Sequence, residues 1–507
     1  MGALVVTSET MLRQTISLLC LITAGCARAD VTLPALFSDH MMLQRDRPVR
    51  VWGKAQAGET VTVKIPGQTA SATADDDGRW SLFLEPMKSG GPHELTIQGR
   101  NTITIQDVLI GDVWVGSGQS NMQWTVGNSN NAAEEIAAAT HPQIRLFKVA
   151  LKSSDVPLDD VEGQWMLTTP ENIKTFSAVG YFFARGLHQH LRVPMGFIQS
   201  AWGGTPADSW ISQPAIAADP ALISVFSDWA QSLEAYPRAM DRYARLLAKW
   251  EAHGQTGPRP QPPIGPGHQY TPGGLYNAMI APLTPFAIKG AIWYQGENNS
   301  GKNRSYVYRR LFPAMIQDWR DRWGQGDFPF LWAQLANFKT KGQWPELQEA
   351  QSMTLRLANT GQAVINDIGN PADIHPKNKQ DVGARLALAA RAVAYQEKLT
   401  YSGPVFRQLT SEGSSLRVWM DHTGKGLATR GGGEVRGFAI AGADGKFVPA
   451  QAKIDGTAVV VTSADVKKPV HVRYAWADDP DANLINQEGL PAGLFRTDPW
   501  VEPALHR

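Results

Sequence analysis

Val113-Trp114-Val115-Gly116-Ser117-Gly118-Gln119-Ser120-Asn121-Met122 runs an apolar strand directly into a Gly/Ser/Asn turn. A serine on a tight strand-to-helix turn has an exposed hydroxyl, and its backbone N–H lies near a helix start, where negative charge is favoured. The segment is not G-x-S-x-G, because Met122 stands where that pattern needs Gly, which disfavours an α/β-hydrolase elbow. The same texture recurs outward. Apolar strands Gly196-Phe197-Ile198, Ala291-Ile292-Trp293-Tyr294, Phe330-Leu331-Trp332 and Ala363-Val364-Ile365 alternate with helical stretches around 175–190, 304–322 and 346–359. A last helix is expected from Lys379 to Lys398, with Val382, Leu386, Ala389 and Val393 on one face. Strands alternating with helices predict an α/β fold with a central parallel sheet covered on both sides, its chemistry at the carboxyl ends of the strands.

The flanks read differently. From Asp30 to Gln106, Val49-Arg50-Val51-Trp52, Thr60 to Ile65 and Leu95-Thr96-Ile97 alternate with period two between turn clusters such as Asp75-Asp76-Asp77-Gly78. That predicts a β-sandwich-like domain over 30–106, before a catalytic domain over 107–400. Residues 211–275 interrupt the alternation with a helical piece (Leu222 to His253) and a Pro/Gly stretch, GQTGPRPQPPIGPG, an expected exposed excursion. Short strands and Gly-rich turns return over 401–507, a C-terminal β-domain or the completion of the first one. Residues 1–29 read as a secretory signal peptide: Arg13, an apolar run from Ile16 to Ala24, and Ala27-Arg28-Ala29 before Asp30. Thr23-Ala24-Gly25-Cys26 loosely resembles a lipoprotein box, with Thr23 where Leu is preferred. The expectation is therefore an exported protein, periplasmic or extracellular, without a membrane span.

Composition narrows the chemistry. The 507 residues carry a formal charge of +1, which argues against a nucleic-acid binder. Removal of Glu9, Arg13 and Arg28 with the leader cancels that charge. Both cysteines, Cys20 and Cys26, lie in the leader, so the body has no thiol for a disulfide, a Cys nucleophile or a Cys-zinc site.

Three further strand ends carry unusual polar residues. Ala201-Trp202-Gly203-Gly204-Thr205-Pro206 follows the second strand, and paired glycines let backbone amides approach a ligand. Trp293-Tyr294-Gln295-Gly296-Glu297-Asn298-Asn299 offers the Gln295 amide to an oxyanion or to nearby backbone. Asp373-Ile374-His375-Pro376 lies just past the last strand. A neutral His near a Ser takes its proton, and a carboxylate on the other ring nitrogen fixes the tautomer. Any one of these turns alone reads as ordinary; it is their convergence on one sheet edge that points to a serine hydrolase.

In that combination the sequence resembles the SGNH hydrolase superfamily and, within it, the sialate O-acetylesterase-like carbohydrate esterases. The matching segments are GQSNM at 118–122, SAWGGTPADSW at 200–210, WYQGENN at 293–299 and DIHPKNKQDVGARLALAAR at 373–391, with similarity running from FSDHMMLQRDRPVRVWG at 37–53 to LPAGLFRTD at 490–498. The resemblance implies an SGNH (flavodoxin-like) three-layer sandwich. It also implies Ser120 as nucleophile, His375 as general base and Asp373 as its orienting partner. An oxyanion hole would come from the Ser120 amide, an amide of the Gly203-Gly204 pair (either glycine) and the Gln295 side chain, with no metal or organic cofactor. Two departures stand out: D-x-H replaces the superfamily's D-x-x-H, with Asp367 a competing orienter, and Gln-Gly-Glu replaces a loop with Asn as donor. Glu297, Asn298 and Trp202 are the expected substrate contacts, with bracing of the loop the alternative for Glu297; Trp124, Trp202 and Trp210 lie close enough in sequence to stack on sugar faces or else pack in the core. The expected substrate is an O-acetylated carbohydrate: a neutral plant-type glycan such as xyloglucan or xylan oligosaccharides, or alternatively an O-acetylated sialic acid. A glycosidase using Glu297 and Asp367, and a non-catalytic glycan binder, are the readings from other classes.

Overall fold

The computed structural model describes residues 30–301 and 303–500; the expected leader, with Cys20 and Cys26, lies outside them. The chain begins with β1 (Met42–Gln44), β2 (Val49–Lys54), β3 (Thr60–Ile65), β4 (Gln68–Thr73), β5 (Arg79–Leu84), β6 (Gly90–Gln98) and β7 (Thr102–Gly118). In β3 and β5 the inward residues Val61, Val63, Trp80, Leu82 and Leu84 are buried in alternation, as one-sided antiparallel strands require.

β7 belongs to two layers. Its first half pairs antiparallel with β6, whereas its second half is continuously buried. The switch falls at Asp107, a non-glycine residue with φ +57. Arg145 (2.6 and 2.9 Å) and His40 (2.7 Å) hold its carboxylate there.

The central sheet adds β8 (His141–Lys148), β9 (Trp165–Thr168), β10 (Met195–Ala201), β11 (Gly290–Tyr294), β12 (Phe330–Ala333) and β13 (Thr360–Ala363), in the order β13-β12-β11-β7-β10-β8-β9. Neighbours are parallel from β13 to β8, and β9 is antiparallel at the edge. With the antiparallel N-terminal strands joined through β7, the whole sheet is mixed. The helices are α1 (Ser120–Gln123), α2 (Ala132–Ala137), α3 (Pro170–Ile173), α4 (Ala178–Leu191), α5 (Gln213–Ala218), α6 (Ser224–Ala252), α7 (Arg304–Trp323), α8 (Trp344–Met353) and α9 (Lys379–Val393). Trp114 of β7 meets Phe183 of α4 on one face of the sheet. Trp293 of β11 meets Phe312 and Trp319 of α7 on the other. α9 stops five residues short of the expected Lys398. Its chain turns so that the Tyr395 hydroxyl donates to buried Asp112 (2.9 Å).

The excursion is a hairpin of helix and extended chain. α6 places Trp229, Tyr236, Tyr243 and Trp250 at every seventh position, hence on one face. The Pro/Gly segment returns along that face. Gly265 packs so closely on Tyr236 that a Cβ would lie 2.0 Å from the ring, and Gly257 O accepts from Trp250 Nε1 (3.1 Å). Proline fixes φ and gives up an N–H, so this run needs no ladder partner and lies flat against the aromatic rings.

Residues beyond 404 form antiparallel sheets around a second apolar cluster that includes Val418, Phe438, Ile440, Val461 and Val472. This region meets α7 and α8 through alternating cations and rings. Arg496 stands 4.9 Å from Trp476 and 4.4 Å from Trp500, and Arg309 of α7 lies 4.2 Å from Trp500. Arg496 also pairs with Glu349 of α8 (3.1 Å). No helix among the described residues is long and apolar enough to cross a membrane.

Candidate active site

The ends of β7, β10 and β11 and the loop before α9 converge on Ser120. Ser120 opens α1, and its Oγ lies 2.9 Å from His375 Nε2. Nδ1 of the same ring faces Asp373 Oδ1 at 3.5 Å, so the consistent tautomer carries its proton on Nδ1 and accepts from the serine hydroxyl at Nε2. Asp373 Oδ1 also accepts the His375 backbone N–H at 2.9 Å. This contact accommodates the shortened D-x-H spacing: the carboxylate folds back on the peptide and reaches the ring only at longer range. The competing carboxylate is committed elsewhere. Asp367 receives Arg385 through both oxygens, at 2.6 and 2.8 Å. Trp124 stacks on the imidazole at 4.8 Å and 14°. Burial is the main cause that pushes the His375 pKa below its ordinary value; Asp373 opposes that and Lys379 reinforces it.

One choice left open by the sequence is narrowed, and one donor assignment needs correction. The Gly203 N–H is spent on Gln123 Oε1 (2.9 Å), whereas the Gly204 N–H has no partner among the described residues. Gly204 sits at φ +76, a conformation that favours glycine. Gln295 is wholly buried. Its amide donates to Thr205 O (3.2 Å) and Asn299 Oδ1 (2.7 Å), and its carbonyl accepts from Tyr308 (3.1 Å). With both hydrogens occupied it braces the β11 loop and cannot face an oxyanion. Asn298 is the half-exposed amide of that loop, donating to Gly204 O (2.6 Å) and the Tyr270 hydroxyl (3.0 Å).

Glu297 and Trp210 both turn inward, which fits bracing and core packing rather than substrate contact. Glu297 is buried and accepts from Asn121 Nδ2 at 2.6 Å, with burial pushing its pKa up. Trp210 is fully buried, its indole N–H on Thr205 Oγ1 (2.9 Å), so it offers no sugar platform. Trp202 is half-buried at the end of β10. Glu297 and Asp367, the pair a glycosidase would need, are therefore both internal braces.

Sequence reasoning missed the layer beneath the serine. Asn121 donates to Glu297 and to Ile374 O (3.0 Å), the carbonyl between Asp373 and His375, and accepts from Lys379 Nζ. Lys379 is fully buried, its ammonium 5.2 Å from the Tyr294 ring and 5.8 Å from that of Trp124. Burial lowers its pKa to about 7, against the opposing pull of Glu297 and Asp373. The signal was legible: Lys379 lies on the same helical stripe as Val382, Leu386 and Ala389, where a lysine has no reason to be unless it has an internal partner.

The chain is similar to known carbohydrate esterases. Residues 265–392 match a family model described as carbohydrate esterase, sialic acid-specific acetylesterase. A sialate O-acetylesterase from Rattus norvegicus is 34% identical over 424 residues, covering 73% of this chain and 75% of the relative. The Homo sapiens sialate O-acetylesterase is 35% identical over 415 residues, covering 73% and 72%. Among solved structures, a carbohydrate acetylesterase from Xanthomonas citri superposes with a TM-score of 0.81 at 42% identity, covering 93% of this chain and 100% of that one.

Proposed function

This chain belongs to the sialate O-acetylesterase family, a group of carboxylic ester hydrolases acting on acetylated carbohydrate, and we propose that it removes acetyl groups from neutral glycans by a Ser120–His375–Asp373 mechanism. The observation that carries the reading is the 2.9 Å contact between Ser120 Oγ and His375 Nε2 beside unpaired backbone donors. His375 takes the hydroxyl proton as Ser120 attacks the acetyl carbonyl. The Ser120 and Gly204 N–H groups face the developing oxyanion, and Asn298 joins them by releasing the Tyr270 hydroxyl. His375 then protonates the departing sugar oxygen. Water, deprotonated by the same ring, hydrolyses the acetyl-enzyme and frees acetate. Asp373 stabilises the imidazolium in both halves. Ser120→Ala should abolish acetate release with an unchanged circular dichroism spectrum; full activity in that variant would refute the assignment.

We further take the catalytic segment 107–400 as an SGNH-type three-layer unit that shares β7 with a sandwich-like segment 30–106 and is followed by a β-rich segment 401–507. Export belongs to the same proposal, on the strength of the leader-like residues 11–29. The neutral-substrate preference follows from charge. A sialic acid needs a cation for its carboxylate, yet Lys379 is buried on Asn121, Arg385 is taken by Asp367 and Arg304 by Asp208. Of the described cations in these strand-end loops, Lys377 is the exposed one. The second reading, O-acetylated sialic acid, is carried by the names of the matched family and relatives. Acetate release from acetylated xyloglucan or xylan oligosaccharides against O-acetyl sialic acid decides between them, and a clear preference for the latter overturns the neutral reading.

A further inference from the structure

Beyond the ester-cleaving residues, a separate pocket opens between the first turns of α6, the return segment near Ile264 and Tyr270, and the 206–208 loop. Tyr270 is the wall it shares with the active site. Its hydroxyl accepts from Asn298 and lies 3.7 Å from where a side chain on Gly204 would begin. The corresponding point on Gly203 lies 3.5 Å from Ser120 Cβ. The pocket and the nucleophile are thus separated by little more than one side chain and one loop.

The lining has the make-up of a sugar site. Trp229 is half-buried, stands apart from the main apolar core, and has no acceptor for its indole N–H among the described residues. Tyr236 and Trp250, further along the same helical face, are covered by the proline segment; Trp229, at the base, instead borders the opening. The charged lining residues are Asp208, Asp228 and Arg304. Arg304 Nη2 donates to both Asp208 oxygens, at 2.8 Å each, so among the described lining residues the one cation already has its charge balanced by a carboxylate. Asp208 is also held by Asn299 (3.1 Å), which in turn accepts from Gln295. The pocket floor and the loop beside Ser120 are consequently one hydrogen-bonded piece, which keeps their separation fixed.

We propose that this pocket is a glycan subsite, in which Trp229 stacks on a neutral pyranose unit next to the one bearing the acetyl ester while Asp228 and the indole N–H meet its hydroxyls. An aromatic face with a carboxylate at its rim suits a ring that is apolar on its axial C–H side and hydroxylated at its edge. The excess of acid over base in the lining disfavours an anionic sugar. The inference rests on the acetyl-glycan reading above and extends it to where the rest of the chain lies.

The test compares kcat/KM on an O-acetylated xyloglucan oligosaccharide with that on p-nitrophenyl acetate, which is too short to reach the pocket. Trp229→Ala should lower the oligosaccharide-to-short-ester ratio by about tenfold, through KM, as expected for loss of a stacked aromatic anchor. Trp229→Phe should restore most of it. Trp250→Ala, which loosens the same hairpin at its far end, should leave the ratio unchanged. In the Ser120→Ala background, Trp229→Ala should weaken oligosaccharide binding measured by calorimetry by the same factor. An unchanged ratio in Trp229→Ala, an equal fall on both substrates, or a wild-type enzyme with no advantage on the oligosaccharide overturns the subsite. Activity surviving in Ser120→Ala instead overturns the ester-cleaving assignment beneath it.

Discussion

Replacing Asp373 and Asp367 by Asn, one at a time, separates an orienting carboxylate from a bracing one. Asp373 stands 3.5 Å from His375 Nδ1 with 43% of its side chain exposed. At that distance and an effective dielectric constant of about 40–80, the attraction it offers an imidazolium is about 1–2.5 kcal/mol. Neutralising it should therefore lower kcat by about 10- to 50-fold, far less than the ~10⁴ lost when a buried triad aspartate is changed. Stability should barely move, because water already solvates the carboxylate. Asp367 is the opposite case. It is 9% exposed, its partner Arg385 13%, and the two meet through paired short hydrogen bonds. Asp367→Asn leaves a nearly buried guanidinium without its anion, a loss of about 3–5 kcal/mol of folding stability. Acetate release measured well below both unfolding midpoints, alongside urea-induced unfolding, reads the two effects separately. A larger turnover loss in Asp367→Asn than in Asp373→Asn, with stability intact, would show that Asp367 is the partner of His375 and refute the reasoning.

The corrected role of Gln295 gives a second dissociation. Gln295→Ala leaves Thr205 O without its donor and takes one partner each from Asn299 Oδ1, which keeps the Ala207 N–H, and from Tyr308, which keeps the Trp293 N–H; a stability loss of about 1–3 kcal/mol is expected, with kcat of the folded fraction within about tenfold of wild type. A 10²- to 10³-fold fall in kcat at full stability would return it to the oxyanion hole. The acid limb of kcat/KM should have its midpoint below 6.5, because the imidazole must be neutral to accept the serine proton and its pKa in the fold is lowered. Lys379→Met removes the positive neighbour that adds to the effect of burial, so that limb should move to higher pH; a shift to lower pH would contradict the arrangement.

Much of the site is legible in the amino-acid sequence. Ser120, His375 and Asp373 stand at strand ends and at a helix entrance, and such positions follow from hydrophobic runs and turn residues. The choice between neighbours was less legible. Gln295 and Asn298 lie three residues apart in one polar loop, and only the path after Gly296, at φ +152, decides which amide turns inward. The choice between Gly203 and Gly204, open in the sequence, turns on Gln123, a residue with no motif to mark it. The excursion was legible as proline-rich chain but not as a cover for α6, because its partner rings are matched by helical period rather than by sequence proximity. Likewise the α9 terminus depended on Asp112, far away in sequence, drawing Tyr395 out of the helix.

β7 has a consequence for how such enzymes are assembled over evolution. One uninterrupted strand starts against β6, passes the Asp107 turn and ends beside the nucleophile, while β1 clamps Leu109 to Gly111 and Arg45 holds Asp112. The N-terminal layer is therefore not an exchangeable module: removing or replacing it would strip a backbone partner from the strand that aims Ser120. Among the described residues, the C-terminal region adds no strand to the sheet that aims Ser120. It is joined to the catalytic segment by side-chain stacks and an ion pair on α7 and α8 and by hydrogen bonds such as Phe338 N–H to Asp478 O (2.9 Å) and Asn366 Nδ2 to Ala492 O (3.0 Å). Exchange of accessory pieces among relatives should leave the front of the chain in place and concentrate at its end.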